Sequence, residues 1–332
     1  MKKYVGNLLQ VRGAERYILQ GGKGEGMHFV YVRNGLGLEA WISVDRAGDL
    51  SRISVNGKNM GFFSPCGYVA PQYYDKDGLG FLKSFTAGFI TTCGLTQVGS
   101  PCEDDGEILP LHGTVANIPG EVCAIEEDNN GLTIKIKVID GIIFGKKLVL
   151  NRVYHFSYTE NTFEMEDIVV NDGDRQSPYM ILYHCNMGYP LLTENSVLKI
   201  PHNSVTARDD HAQKYIDSRL LPEVPQPQYQ ERCYYYDLKD NNGKAKVGIY
   251  STDAKIGMVM SFDKKELDCF TQWKMMGEQD YVMGLEPGNC NSDGRDITRE
   301  KGILKFLEPG QTGRTALKFK FIEDSKEFEN NF

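Results

Sequence analysis

Apolar and polar residues alternate with a period of two along most of the chain. In "TIKIKVI", Ile134, Ile136 and Val138 fall on one face and Lys135 and Lys137 on the other, as in a half-buried β-strand. "ALKFKFIE" repeats the pattern, with Leu317, Phe319 and Phe321 set against Lys318 and Lys320. The same reading predicts short strands over 146–158, 162–171, 196–200, 246–251, 256–262, 267–275 and 281–285. In "LEAWISVDRAGDLSRISVNGKNM" the strands are joined by turns at Ala47-Gly48-Asp49 and at Asn56-Gly57, the second a strong hairpin dipeptide because Asn and Gly both tolerate positive φ. Stripes at i, i+3, i+4 and i+7 are missing, and only "GAERYILQ", residues 13–20, is expected to form a short helix.

Without helices to carry crossovers, the strands should pair antiparallel, in sheets packed face to face. The 35 glycines are spread along the chain, which suits many tight turns, and the Pro-rich "LLPEVPQPQYQ" at 220–230 reads as an exposed loop. The expected architecture is all-β: one large β-sandwich domain over residues 1–332, with residues 1–35 as an N-terminal extension packed on it. A sandwich of this size has a concave face, where side chains pointing out of the strands can hold a sugar.

Composition narrows the partners. A net charge of -8 leaves no excess of Lys and Arg to neutralise phosphates, which disfavours nucleic acid and anionic membranes and favours a small neutral or polar ligand. No run approaches the roughly 20 apolar residues of a membrane span. The N-terminus has no apolar stretch of signal-peptide length, so a cytoplasmic location is expected. The eight cysteines are scattered with no Cys-x-x-Cys pair, which reads as free thiols in a reducing compartment and argues against a metal site.

Three ionisable residues interrupt apolar or Gly-rich stretches. They are His112 in "ILPLHGTVANIPG", His184 in "MILYHCNMGYPLL" and Glu286 in "YVMGLEPGNCNSDGR". A carboxylate half buried at a strand end is raised toward neutral pH, where histidine already titrates, so each can move a proton. Taken singly, each also reads as a packing or turn residue. His28, His155, His202 and His211 lie in polar or loop-like surroundings and carry no comparable signal.

In sequence order, "LHG" at 111–113, "YHCN" at 183–186 and "GLEP" at 284–287 resemble the aldose 1-epimerase (galactose mutarotase-like) family. "TTCGLTQVG", "LHGTVANIP", "LYHCNMGYPLL", "FTQWKMM" and "YVMGLEPGN" resemble a divergent bacterial branch of it, from about Ala87 to Gly310. The resemblance implies a β-supersandwich and interconversion of the α and β anomers of a monosaccharide, with no metal or organic cofactor. By position it implies Glu286 as general base at the anomeric hydroxyl, His184 as general acid at the ring oxygen, and His112 as a second histidine bonding the sugar.

The family pattern also has an Arg in the loop before the first histidine, yet "FITTCGLTQVGSPCEDDGEILP" contains no basic residue. Its Gln two positions after the Glu is here Gly288, followed by Asn289. Thr92, Gln97, Asn186, Gln272, Lys274 and Asn289 are therefore expected to supply replacement hydrogen bonds, and Trp273 an apolar ring face for the sugar. Alternation sets Trp273 with Leu267 and Cys269, a core placement, turns Gln272 and Lys274 the other way, and points Cys185 into the core. Two alternatives stay open. A sugar-phosphate epimerase would want two or more basic residues at the pocket, for which the motif loops offer Lys274 and Arg295; a non-catalytic carbohydrate-binding protein would keep the fold alone. An exposed sheet edge also offers a route to a homodimer.

Overall fold

The alternating segments form antiparallel sheet almost throughout. In the computed structural model, which describes residues 3–332, "TIKIKVI" lies within the strand Gly131–Gly141, with Ile134, Ile136 and Val138 buried and Lys135 exposed. The strands expected over 146–158, 162–171 and 256–262 are Lys147–Ser157, Thr162–Asn171 and Ile256–Asp263. Asn56 and Gly57 have φ of 50° and 76° and close the hairpin that pairs Val55 with Lys58, as their sequence predicts. "GAERYILQ" is a correction. Its first six residues are the strand Gly13–Ile18, paired in register with His28–Arg33, because the edge of an existing sheet offered hydrogen bonds that a one-turn helix could not match.

Among the described residues the larger sheets have five, nine and seven strands. The five-stranded sheet is a meander from Gly13 to Asn59, so residues 13–33 enter it as strands. The nine-stranded sheet runs from Gly120–Glu127 at one edge, through Thr162–Asn171 and Thr312–Ile322 at its centre, to Ser196–Lys199. In the seven-stranded sheet Ser177–Met187 pairs with Ile90–Leu95 on one side and with Tyr281–Gly288 on the other, and Cys269–Met276 and Arg232–Leu238 follow outward. One apolar core, from Val30 to Phe321, draws on all three sheets.

A buried cation ties the sheets together. Arg152 has no exposed surface in its side chain; it donates to Asp167 at 2.8 and 2.7 Å, to Asp49 at 2.6 Å and to the Thr92 hydroxyl at 2.6 Å. Asp167 also accepts from the Tyr183 hydroxyl at 2.8 Å. Tyr183 and Cys185 thus face the inter-sheet core, as alternation expects for Cys185, and His184 faces the opposite side of the same strand.

Candidate active site

Strand register assembles the site. The pairing of Leu182 with Gly288 and of Asn186 with Gly284 sets His184 opposite Glu286 on neighbouring strands. His184 Nδ1 lies 3.3 Å from Glu286 Oε1, and both side chains are almost fully buried. Next outward, Trp273 pairs with Gly284 and Cys233 with Trp273, so the row continues across the sheet. His112 arrives from outside this sheet. Its φ of 58° turns the chain sharply before Gly113, and its ring centroid stands 5.6 Å from that of His184.

The three residues line one cleft of about 580 Å³, within the range of small-molecule sites. Phe81, Phe85 and Leu111 form an apolar wall, with the Phe85 ring 5.1 Å from His184 and the Phe81 ring 5.3 Å from His112. Trp273 stands edge-on to His184 at 5.1 Å. Arg208 and Glu231 form the polar mouth: the guanidinium donates to Glu231 at 2.9 Å, and the indole N–H of Trp273 donates to the same carboxylate at 2.7 Å.

Hydrogen bonds fix the ring nitrogens. Asn186 donates through its amide to the His184 carbonyl at 2.9 Å, so its Oδ1 is the atom 2.6 Å from His184 Nδ1, and Nδ1 carries the proton. Nε2 of His184 remains for a ligand. In His112 the order is reversed: Nδ1 accepts from the Gly99 N–H at 3.3 Å, which leaves Nε2–H as a donor. Burial pushes the pKa of His184 down to about 4, partly opposed by its bond to Asn186. It pushes His112 down to about 3, with His184 adding to the shift. Burial, reinforced by Glu231, raises Glu286 well above the usual carboxylate range, and Arg208 pulls it part of the way back. Burial thus drives both groups toward their neutral forms, a carboxylic acid beside an imidazole whose own proton sits on Nδ1. Glu286 Oε1 has no hydrogen-bond partner of good geometry, an unusual state for a buried oxygen and one that a ligand hydroxyl relieves.

Gly284 makes this position possible. A Cβ there would lie 2.1 Å from Glu286 Oε1 and 2.9 Å from Trp273 Cβ, so the carboxyl group folds back over a residue with no side chain.

Of the other expected sugar contacts Trp273 lines the cleft, whereas the remaining six are engaged elsewhere. Thr92 is fully buried, its hydroxyl donating to Asp49 and accepting from Arg152 in the inter-sheet network. Gln97 lies behind the cleft; its amide donates to the Ser100 carbonyl and its Oε1 accepts from Arg295 N–H, which fixes the wall at Gly99–Pro101. Asn289 stitches backbone, accepting from Ile181 N–H and donating to the Tyr179 carbonyl. Asn186 acts through His184. Gln272 bonds Tyr236 and the Arg219 carbonyl, and Lys274 pairs with Glu223 at 2.7 Å, both on the face turned away from the cleft. Trp273 is the residue of this strand that lines the cleft. Alternation gave the two faces correctly but could not say which was the core, because loops and strands cover both. Arg295 is likewise engaged elsewhere, with Asp104 and Glu107.

Arg208 and Glu231 had no periodic signal in the sequence; they flank the strand Arg232–Leu238 and its neighbour and meet only in three dimensions. Arg208 is the cation of this cleft, entering from a different loop than the one where the family pattern carries its Arg.

The fold is that of the galactose mutarotase-like β-sandwiches. Residues 24–321 match the family described as "Domain of unknown function (DUF4432)", and the chain belongs to that family. It is similar to the crystal structure of a "putative aldose 1-epimerase" from Klebsiella pneumoniae at 27% identity, over 96% of this chain and 85% of that one, with a TM-score of 0.89. A galactose mutarotase-like protein from Clostridium acetobutylicum superimposes at a TM-score of 0.69 and 15% identity, over 94% and 99% of the two chains. The galactose 1-epimerase of Lactobacillus acidophilus does so at 0.62 and 14%, also over 94% and 99%. No curated protein matches the chain in sequence. No helix among the described residues is long and apolar enough to cross a membrane.

Proposed function

We propose that the protein is an aldose 1-epimerase that opens and recloses the ring of a monosaccharide by proton transfer between Glu286, His184 and the sugar, the whole chain acting as one catalytic domain. The observation that carries this reading is the convergence of His184 and Glu286 at 3.3 Å, with His112 beside them, in one cleft of suitable size.

Ring opening removes a proton from the anomeric hydroxyl and adds one to the ring oxygen. A sugar hydroxyl donating to Glu286 supplies the hydrogen bond that Oε1 lacks and stabilises the carboxylate, so the carboxyl proton passes to His184 Nε2 while Nδ1 keeps its own on Asn186. Glu286 then takes the anomeric proton while the His184 imidazolium protonates the ring oxygen and the C1–O5 bond breaks. This leaves an open aldehyde, a neutral acid and a neutral histidine. Nε2–H of His112 donates to an oxygen that gains charge. Rotation about C1–C2 presents the other face of the aldehyde, and the same protons return by the reverse path. Neither group needs an outside proton, because each turnover restores the starting state.

Trp273, Phe81 and Phe85 offer apolar surface to sugar C–H groups, and Arg208 and Glu231 offer a donor and an acceptor at the mouth. Arg208 is already committed to Glu231, which favours an unphosphorylated sugar. The decisive experiment is anomer exchange measured by magnetisation-transfer NMR on a panel of aldoses and deoxy sugars. Acceleration of at least one sugar that survives a chelator and is lost in Glu286→Gln supports the assignment. A protein that binds sugars but accelerates none of them is a carbohydrate-binding module, and the proposal fails.

A further inference from the structure

Two hairpin tips meet outside the catalytic cleft, beyond the loop that carries His112. One joins Cys102–Asp104 to Glu107–Leu109 and presents Ile108, 87% exposed. The other joins Gly131–Gly141 to Lys147–Ser157 and presents Ile142, Ile143 and Phe144, which are 57%, 79% and 86% exposed. Between them lies a hollow of about 750 Å³, lined in part by Leu109 and Pro110. The turn itself does not require these side chains. Phe144 has a φ of 61°, a conformation that suits Asn or Gly and is costly for an aromatic residue. Bulky apolar residues at such a tip gain nothing from water, so another surface must cover them.

We propose that this face joins two copies of the chain about a twofold axis, Ile143 and Phe144 of each copy entering the hollow of the other. Ile142, Ile143 and Phe144 stand at the rim of the hollow that they line with Leu109 and Pro110, so one patch carries both the knob and the groove that an isologous contact needs. The area also fits. At about 200 Å² for a large apolar side chain, the four residues expose roughly 600 Å². Two copies together would then bury roughly 1,200 Å² of apolar surface, the lower end of specific protein–protein interfaces. Of the charged residues around the hollow, Lys146 pairs with Asp140 and Glu107 with Arg295 in the same copy, which leaves Lys76 and Asp77 to meet their opposite-signed counterparts across the twofold axis. The apolar part alone, roughly 600 Å², stands at the upper end of the largest patch a typical monomer exposes.

The contact would reach the site without contributing a residue to it. The hollow is lined by Leu109, Pro110, Gly113 and Thr114, the segment that holds His112 in its left-handed turn. The partner would brace that loop from behind.

Sedimentation velocity of the natural chain in the micromolar range should give twice the chain mass. The double variant Ile143→Glu/Phe144→Asn should give a monomer with unchanged far-UV circular dichroism, since Asn accepts the positive φ and both sites are exposed. Ile18→Glu, an exposed change on the N-terminal sheet, should stay dimeric. In the natural chain, amide hydrogen exchange over 105–112 and 140–146 should quicken on dilution into the monomer, which tests the surface even if the double variant does not fold. A natural chain that stays monomeric overturns the proposal, as does a dimer that survives the double variant or an exchange footprint elsewhere. A monomer that instead binds phosphatidylcholine vesicles through Phe144 would assign the patch to a membrane surface and overturn it equally.

Discussion

At the level of single residues, the chemistry rests on the carboxyl proton that passes between two groups whose burial drives them both toward neutrality. Glu286→Gln keeps the shape, with an amide in place of the carboxyl group, but removes the base, and His184→Asn removes the acid. Each should lower the exchange rate roughly 10²- to 10⁴-fold, with sugar binding retained, as saturation-transfer difference spectra can show. Burial also sets how pH acts on the fold. Folded His184 takes a proton only below about 4, whereas the unfolded chain does so below 6.5, so between these values the unfolded state binds more protons. Stability from this residue therefore rises with pH across that window, by about 1.4 kcal/mol per unit, and is lost as the pH falls through it. Glu286 acts with the opposite sign. Its folded pKa is raised, so its contribution is complete below the unfolded value of 4.5 and is lost as the pH rises. Comparing the natural chain with His184→Asn isolates the histidine: urea unfolding at pH 6.5 and 4.5 should favour the variant by about 2–3 kcal/mol more at the lower pH. Parallel curves would mean that His184 is not held neutral.

At the level of strands and loops, the glycine opposite the tryptophan and the lysine beside it carry different loads. Gly284→Ala places a methyl group against both Glu286 Oε1 and Trp273 Cβ, so the carboxyl group must move and the neighbouring strand must give slightly. A misplacement near 1 Å costs about 10²-fold in rate, so the variant should fold normally and lose activity on that scale; full activity would show that Glu286 does not work from its observed position. Lys274, whose side chain has no exposed surface, donates to the Leu221 carbonyl at 2.6 Å and pairs with Glu223, clamping the segment that leads to Glu231. Lys274→Met leaves Glu223 with Arg232 at 2.7 Å, so the loss should be about 1–3 kcal/mol, read as a lower urea midpoint, with KM rising more than kcat falls. These two residues also show what was legible in the sequence. Alternation located the strand "CFTQWKMM" and split its residues correctly into two faces. It could not rank the faces, because a strand covered on both sides has no solvent-facing side to identify. His112, His184 and Glu286 were legible only through the order of three short motifs. Arg208 was not, since nothing in the sequence sets it beside Glu231.

At the level of the molecule, alternation established antiparallel sandwich architecture, but not the buried ions that hold its sheets in register. Arg152 joins Asp49 of the N-terminal sheet to Asp167 of the nine-stranded sheet, and Asp167 in turn holds Tyr183, the residue before His184. The network spans all three sheets and no water reaches the guanidinium. Such an ion pair adds little over a well-packed apolar core of the same shape, yet breaking it from one side strands the remaining charges. Burial already raises the pKa of Asp49, with Arg152 and the two bonds from Thr92 opposing the shift. Arg152→Met removes the cation that opposes that shift most and should cost about 3–5 kcal/mol at neutral pH. The sign of the pH dependence follows. Without the cation the already raised pKa of Asp49 rises further above its unfolded value, so the variant's deficit should shrink as the pH falls toward 4 and widen as it rises toward 7. Adding Asp49→Asn and Asp167→Asn to the same chain should return part of the loss and flatten that dependence. If the single variant melted within 1 kcal/mol of the natural chain at pH 7, the sheets would be held by apolar packing alone, and Tyr183 would have no ionic anchor through which to position His184.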